Sequence, residues 1–314
     1  MNSKIVLLAG LGVAQLVLIA ALFFASGPQQ RNEAPLLDLD PAAVTSLVIS
    51  DGDDEVQVDK RADGWLVAGV PADTDKVTRI LDKLANASAT WPVSTSSSSA
   101  ERFEVSAQSY QRRIRVAGES GQLAELFLGT SPSYQRVHAR ETSSDDVYSI
   151  ALSNYELGVK IDDWLDKGLL ATKDVPTQIE LKLLGLDEPG QQTLSRGEEG
   201  WLFNGVAADT GVAQTYANRF TTLRVLGLAE AAVQTSEVAR LSIGYDDNKT
   251  IFVISTELDS EDGDYFISRQ NESDQTVINY RLASYTAEQL LMTDVDFAIE
   301  ESAEELSSQE NDDG

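Results

Sequence analysis

The chain has 314 residues and a formal charge of −27, from 51 acidic residues against 24 basic ones. A surface of this sign repels nucleic acid and anionic lipid head groups, so nucleic-acid binding is excluded as a function. The absence of cysteine excludes disulfides and thiolate metal sites. The folded part of the chain must therefore be held together by its hydrophobic core.

Residues 5–24 form an uncharged, mainly apolar run, long enough for a helix to cross the roughly 30 Å hydrocarbon core of a bilayer. Lys4 precedes the run, and no charge follows it as far as residue 30. The positive-inside rule then places the N-terminus in the cytoplasm and the bulk of the chain outside it. We predict a retained transmembrane anchor, with a signal peptide cleaved near residue 27 as the alternative.

A short motif occurs twice in the chain. Gly-Trp-Leu-Val-Ala-Gly-Val-Pro-Ala-Asp-Thr at residues 64–74 returns as Gly-Trp-Leu-Phe-Asn-Gly-Val-Ala-Ala-Asp-Thr at residues 200–210, with eight of eleven positions identical. The motif indicates a tandem duplication behind the anchor. The predicted organisation is an N-terminus over 1–4, an anchor over 5–25, a linker over 26–38, α+β repeats over 39–172 and 173–296, and an acidic disordered tail over 297–314.

Alternating or short apolar runs predict the strands of the first repeat, and helical spacing of apolar residues predicts its helices. The expected strands are 44–50, 54–59, 64–68, 113–116, 123–128, 136–139 and 147–152. Helices are expected over 74–87 and 154–165, and a flexible Ser-rich connection over 94–99.

The same order returns in the second repeat. Strands are expected over 179–184, 192–195, 201–204, 241–243, 251–255, 265–268 and 277–282, and helices over 210–223 and 286–291. The predicted fold class is α+β: an N-terminal transmembrane helix followed by two tandem, internally duplicated units of mostly antiparallel sheet with helices.

The residues that recur in the motif are predicted to be structural. Trp65 and Trp201 lie in short strands and are expected to fill the core of each copy. Asp73 and Asp209 come directly before a helix, where a carboxylate accepts the free amide hydrogens of the first turn. A catalytic role for these residues is the weaker hypothesis.

Other candidate sites also favour structural interpretations. His138 is the only histidine, which excludes zinc sites built from several histidines. We expect it to be a solvated or hydrogen-bonded strand residue. The chain contains no Gly-x-Ser-x-Gly elbow, Walker motif or dinucleotide-binding glycine motif, so no catalytic residues and no cofactors are assigned.

Acidic pairs occur at Asp53-Asp54, Asp145-Asp146, Asp162-Asp163 and Asp246-Asp247. In a chain this acidic, such pairs are expected by chance, and a carboxylate-based hydrolase remains only an alternative. The acidic run at 259–264 lacks EF-hand spacing and is expected to be a hairpin loop rather than a calcium site. Trp91, before Pro92, is expected to pack at the domain edge, with an exposed sugar-stacking residue as the alternative.

The pattern resembles the bacterial domain-of-unknown-function family 4340. The likeness rests on Gly64-Trp-Leu, Pro71-Ala-Asp73, Phe103, Leu128-Gly129 and Val147-Tyr148 behind a single anchor. Glu104-Val105 departs from the Gly-Leu that the family often has after the Phe, and Ala207 replaces the first copy's proline. Because members are often encoded beside ABC-type transport components, including gliding-type ones, the resemblance implies an envelope accessory protein, and it carries no active site onto this chain.

The resulting hypothesis is a non-catalytic, single-pass protein of the bacterial inner membrane with its bulk in the periplasm. It would bind ABC-type permease components as an accessory or scaffold subunit. The alternative is a periplasmic module that binds a glycan or another ligand between the two repeats.

Overall fold

The structure is a computed structural model, and it describes residues 15, 35–184, 190–245, 248–258, 264–270, 277–292 and 296–298. Within these residues, no helix has the length and apolar character that crossing a membrane requires. The predicted anchor falls outside the described residues except for Gln15. We call residues 35–172 the first unit and residues 173–298 the second unit.

The first unit contains an antiparallel sheet with β1 at its centre. Its described strands are β1 (Val44–Ser50), β2 (Glu55–Arg61), β3 (Gly64–Val67), β4 (Val70–Pro71), β5 (Arg112–Gly118), β6 (Gly121–Leu128), β7 (Val137–Glu141) and β8 (Val147–Ile150). They are arranged in the order β4-β3-β2-β1-β5-β6-β7-β8. Strands that follow one another in the chain are neighbours in the sheet except β4 and β5, because β5 pairs with β1.

The second unit repeats this arrangement and adds a strand. Its described strands are β9 (Gln178–Leu183), β10 (Gln191–Gly197), β11 (Gly200–Phe203), β12 (Val206–Ala207), β13 (Gly227–Leu228), β14 (Thr235–Tyr245), β15 (Asn248–Glu257), β16 (Tyr265–Gln270) and β17 (Tyr280–Leu282). Their order is β12-β11-β10-β9-β14-β15-β16-β17-β13. The extra strand, β13, closes the far edge of this sheet.

Few helices accompany the sheets. The described ones are α1 (Thr74–Ala85), α2 (Ser99–Arg102), α3 (Thr210–Asn218) and α4 (Ser284–Leu290). The fold is thus mostly antiparallel sheet, with two sheets and few helices, as the sequence predicted at that level. In the first unit α2 falls at the end of the Ser-rich stretch that was expected to be a flexible connection, and Ser99 there is buried.

Apolar alternation along the strands produces the core. In β1, Val44, Leu47 and Ile49 are fully buried, and they belong to the same hydrophobic cluster as the buried face of α1. One hydrophobic cluster contains buried side chains from both units. At about 25 cal/mol per Å² of apolar area, this shared burial is the main stabilising contribution in a chain without disulfides.

The helix predicted over 154–165 is wrong. Two 3-10 turns, Asn154–Glu156 and Ile161–Asp163, occupy this stretch instead. Gly158 separates them, and the Asp163 carboxylate lies so close to its Cα that a Cβ there would collide with it. The same carboxylate accepts the Lys160 N–H, so a local side-chain acceptor replaces the helical hydrogen-bond pattern.

The helix predicted over 210–223 ends early, at Asn218. The Thr221 hydroxyl donates to the Asn218 carbonyl at 2.9 Å, and the Thr222 hydroxyl approaches the same carbonyl at 3.4 Å. The two threonine hydroxyls donate to this carbonyl of the last turn. In a continued helix, backbone N–H groups would be its donors.

Candidate functional site

A groove with a volume of about 550 Å³ lies on the first unit, beside strand β8. The end of α1 and the segment after it form one wall, and β8 with the residue before β7 forms the other. Its lining residues are Lys83, Asn86, Ala87, Ser88, Thr90, Trp91, Arg136, Ser149, Ile150 and Ala151.

The lining of this groove is basic, as is the lining of a smaller groove of the second unit that contains Arg219 and Arg224. The lining beside β8 contains two cations, Lys83 and Arg136, and no carboxylate, although acids outnumber bases about two to one in the chain. Lys83 pairs with Glu156 just outside the lining. Among the described residues, no ion pair involves Arg136, whose guanidinium bonds to Ser149 instead. The groove therefore presents positive charge.

The floor of the groove is the edge of the first sheet. The Val147 N–H donates to the Ser94 carbonyl at 2.8 Å, and the Val93 N–H donates to the Val147 carbonyl at 2.6 Å. Val147 thus directs its backbone groups away from β7. Because backbone direction alternates along a strand, Ser149 directs its N–H and C=O the same way, into the groove.

Arg136 covers this edge with a side chain. Its Nε donates to the Ser149 hydroxyl at 2.9 Å, and its guanidinium also donates to the Ser149 carbonyl. A side chain here makes the hydrogen bond that a neighbouring strand would make with its backbone. Arg136 is exposed, so the contact lies in reach of solvent and of ligands.

Trp91 also lines the groove and is 71% exposed. This exposure agrees with the alternative of an exposed aromatic, whose stacking on a sugar stays a prediction. An exposed indole beside cations and backbone edge groups offers a flat apolar surface for a bound partner.

The repeated motif residues lie in the cores and at the helix starts. Trp65 and Trp201 are buried at 6% and 2% exposure. The Asp73 carboxylate accepts the Lys76 N–H at 2.8 Å, and the Asp209 carboxylate accepts the Val212 N–H at 2.8 Å. These are N-caps of α1 and α3. None of the four lines the groove.

His138 is buried on β7, and its Nδ1 lies 2.9 Å from the Thr130 hydroxyl. Its ring packs against Phe103 at a centroid distance of 4.4 Å. Burial lowers the pKa of His138, and Arg102 adds to the effect. The hydrogen-bonded alternative predicted for this strand histidine thus matches the geometry.

The acidic residues are dispersed. In the part of the chain that the structure describes, no three His, Asp or Glu side chains form a group that could hold a metal ion. The pair Asp246-Asp247 and most of the run at 259–264 lie outside the described residues. Asp53 and Asp54 lie at the hairpin turn after β1, where Asp51 accepts both of their amides.

Asp162 is the acidic residue whose importance the sequence did not indicate. It lies in the turn Ile161–Asp163 of the first unit, yet its carboxylate accepts the Leu228 N–H of the second unit at 2.9 Å. It also pairs with Arg281. Gly227 has no Cβ, and only this allows the carboxylate to approach its backbone.

Further contacts close the junction between the units. The Lys167 ammonium donates to the Leu226 carbonyl, while the Val225 N–H donates to the Lys167 carbonyl at 2.9 Å. The Thr172 N–H donates to the Phe220 carbonyl at 2.8 Å. Burial lowers the pKa of Lys167. The groove beside β8 lies within the first unit, and its lining includes none of these junction residues.

The fold and the groove define a mostly antiparallel, two-sheet protein with a basic groove at one sheet edge. The chain belongs to the family described as Domain of unknown function (DUF4340), whose sequence profile matches residues 65–243, more than half of the chain. This match confirms the resemblance drawn from the motifs. No curated protein and no solved structure matches the chain.

Proposed function

We propose that this chain is a non-catalytic envelope protein that binds protein partners, as an accessory or scaffold subunit of an ABC-type transport complex. The observation that carries the protein-binding part is the groove beside β8. It combines the sheet-edge backbone of Ser149, whose carbonyl bonds to the Arg136 side chain, with the exposed indole of Trp91 and with two cations and no carboxylate in the lining. Sheet edges of this kind favour docking of another chain.

The transport role rests on the family and on the predicted anchor. The resemblance implies a genetic setting beside ABC-type components, and residues 5–25 are predicted to hold the chain in the inner membrane. The junction at Asp162 supports a scaffold role, because it joins the two units by an ion pair and backbone hydrogen bonds. A joined pair of units can present its groove in a fixed orientation.

The alternative of a ligand between the units has less support. Asp162, Lys167 and Thr172 already bond across that junction. A carboxylate-based hydrolase likewise lacks a motivating contact, since Asp162 is engaged with Arg281 and a backbone amide.

The test is recovery of the partner from intact cells. The full chain carries a C-terminal tag, is cross-linked, extracted in mild detergent and analysed by mass spectrometry. We expect specific recovery of an ABC-type permease or its ATPase, and loss of that recovery in Trp91→Ala. Tyr134→Ala is the matched control, because Tyr134 is 88% exposed but does not line the groove.

Recovery of the full-length protein without any transporter component would contradict the accessory role. Equal recovery from both variants would show that the groove is not the contact. A chimera with an unrelated anchor separates contacts of the anchor from contacts of the units.

A further inference from the structure

The edges of the two sheets share one backbone hydrogen bond. In the first sheet the Val93 N–H donates to the Val147 carbonyl at 2.6 Å. In the second sheet the Ala229 N–H donates to the Asn279 carbonyl at 3.0 Å. These bonds occupy the same place, because each joins the segment after the first helix of a unit to the last strand of its sheet.

Beyond that point the edges differ. Two residues along the second sheet, the Arg281 carbonyl accepts the Leu226 N–H at 2.8 Å, and β13 continues the sheet. Two residues along the first sheet, the donor to the Ser149 carbonyl among the described residues is the Arg136 side chain. The described part of the first sheet thus has no strand at the place where β13 completes the second.

We infer that the groove of the first unit binds an extended, carboxylate-bearing peptide segment of a partner protein, which adds to β8 as the strand that β13 provides in the second sheet. This deepens the proposed function by naming the kind of partner segment, and it rests on that function in taking the partner to be a protein. Ser149 would exchange backbone hydrogen bonds with the segment, as in other strand-addition complexes.

The charges of the groove select the chemistry of the segment. Arg136 faces a space whose lining holds no carboxylate, whereas Lys83 is already paired with Glu156 just outside the lining. An acidic side chain on the segment would pair with Arg136 once the backbone N–H of the segment replaces the guanidinium on the Ser149 carbonyl. Trp91 supplies an apolar wall for a neighbouring side chain of the same segment.

The first unit has different residues at the positions of β13. The positions of β13, Gly227 and Leu228, correspond to Trp91 and Pro92 when the segments are aligned on Val93 and Ala229. The ring of Pro92 fixes its backbone angle φ, and the N–H that Pro92 lacks corresponds to that of Leu228, which faces away from β17. A space remains at this place of the first sheet, where the second sheet has a strand.

The probe is a synthetic peptide with the sequence of residues 225–231, Val-Leu-Gly-Leu-Ala-Glu-Ala, acetylated at its N-terminus and amidated at its C-terminus, so that it includes β13 and one carboxylate, that of Glu230. It is titrated into the full-length protein in mild detergent, and binding is followed by fluorescence anisotropy and hydrogen exchange. We expect saturable binding and slower amide exchange in residues 147–151. No saturable binding at millimolar peptide overturns the inference.

Two N-methylated peptides test whether a strand is added. In the second sheet the Leu226 N–H faces the neighbouring strand, while the Leu228 N–H faces away from it. N-methylation at Leu226 should weaken binding at least about tenfold, and N-methylation at Leu228 should change it by less than about twofold. Equal binding of the two peptides would show recognition by side chains alone and would overturn strand addition.

The requirement for an acidic segment is tested by substitutions in the protein and in the peptide. Arg136→Gln in the protein and Glu230→Gln in the peptide should each weaken binding by about three- to tenfold, with little further loss when combined. Lys83→Gln is a second variant, and Arg240→Gln, at an exposed ion pair of the second sheet, is the control. Unchanged binding in both groove variants would overturn the requirement for an acidic segment.

Negative results of the peptide experiment and of the cell experiment can be distinguished. Peptide binding without recovery of a transporter component would uphold the groove and contradict the ABC-type role. Recovery of a transporter component without peptide binding would uphold that role and place the contact elsewhere on the chain.

Discussion

The two units share a strand order, yet their last strands differ. The second sheet is closed by β13, and the first unit then covers β13 with the carboxylate of Asp162. In the described part of the chain the first sheet ends at β8, where the Arg136 side chain covers the Ser149 carbonyl. The same scaffold thus uses one edge to join its own parts and leaves the other open.

Two residue types explain the difference. Gly227 admits the Asp162 carboxylate because it has no Cβ, and Leu228 supplies the N–H that the carboxylate accepts. Trp91 and Pro92 occupy the corresponding positions of the first unit. A Trp side chain would fill the space of the carboxylate, and Pro has no N–H to give it. The specialisation of the two edges therefore rests on two adjacent positions.

The largest effect on stability is expected for two buried aromatic residues, Trp164 of the first unit and Phe297 of the second. Trp164 is fully buried and its carbonyl accepts the Asp73 N–H, while Phe297 is 3% exposed and its carbonyl accepts the Asp209 N–H. Trp164→Ala and Phe297→Ala should each lower the free energy of unfolding by about 3–5 kcal/mol. Urea denaturation of the full chain measures this loss.

Hydrogen exchange then locates the damage. Trp164 lies in the segment that also bonds to the second unit, so its truncation should speed exchange in both α1 and α3. Phe297 stacks on Phe203 of its own unit, at a centroid distance of 4.5 Å, and its truncation should affect α3 alone. Faster exchange in α1 of the Phe297 variant would show that the units unfold together.

Substitutions at the junction between the units should cost less stability. Gly227→Ala places a Cβ against the Asp162 carboxylate, and relieving this clash should cost about 1–3 kcal/mol of stability. Gly197→Ala is the matched control, because a Cβ there meets its nearest atom at an ordinary 3.6 Å. Thermal unfolding compares the two variants.

A double-mutant cycle tests whether the cost of Gly227→Ala comes from its clash with the Asp162 carboxylate. Asp162→Ala alone removes the acceptor of the Leu228 N–H and should cost about 1–2 kcal/mol, a modest value because both members of its ion pair are partly exposed. In the double variant with Gly227→Ala the clash no longer exists, so the losses should not add. Additive losses would place the effect of the Gly227 substitution elsewhere.

Strand periodicity allowed much of the fold to be predicted. Strand β1 has the predicted bounds, because Val44, Leu47 and Ile49 mark one buried face. Helix α1 starts where the Asp73 cap predicts and ends two residues early. The two-residue strands β4, β12 and β13 were missed, since periodicity cannot be measured over two residues. Asn204-Gly205 is a strong hairpin signal that could have indicated β12.

The groove and the junction could not be predicted in the same way. Lys83, Arg136 and Ser149 come from three separate parts of the chain, and only the sheet order brings them together. Asp162 belongs to an acidic pair that composition alone explains. Its role depends on Gly227 in the other unit, a contact between distant residues that no local pattern encodes.

The smallest effect on stability is expected from the protonation of His138, the single histidine, and it compares the two sheets. His138 lies opposite Ser149 in the first sheet, and Phe266 lies opposite Arg281 at the corresponding place of the second. Burial holds the pKa of His138 below 6.5, so the unfolded chain binds a proton first as the pH falls. The free energy of unfolding should therefore decrease below pH 6.5, by at most about 1.4 kcal/mol per pH unit, until the folded-state pKa is reached.

His138→Phe gives the first sheet the residue of the second and removes this dependence. Unfolding measured between pH 7.5 and pH 5 should show a slope in the natural chain that the variant lacks, because the carboxylates titrate alike in both. The comparison stands even if the loss of the hydrogen bond to Thr130 lowers stability at every pH, since only the slope is tested. Equal slopes in the two chains would mean that the folded protein accepts the proton on His138 as readily as the unfolded chain does.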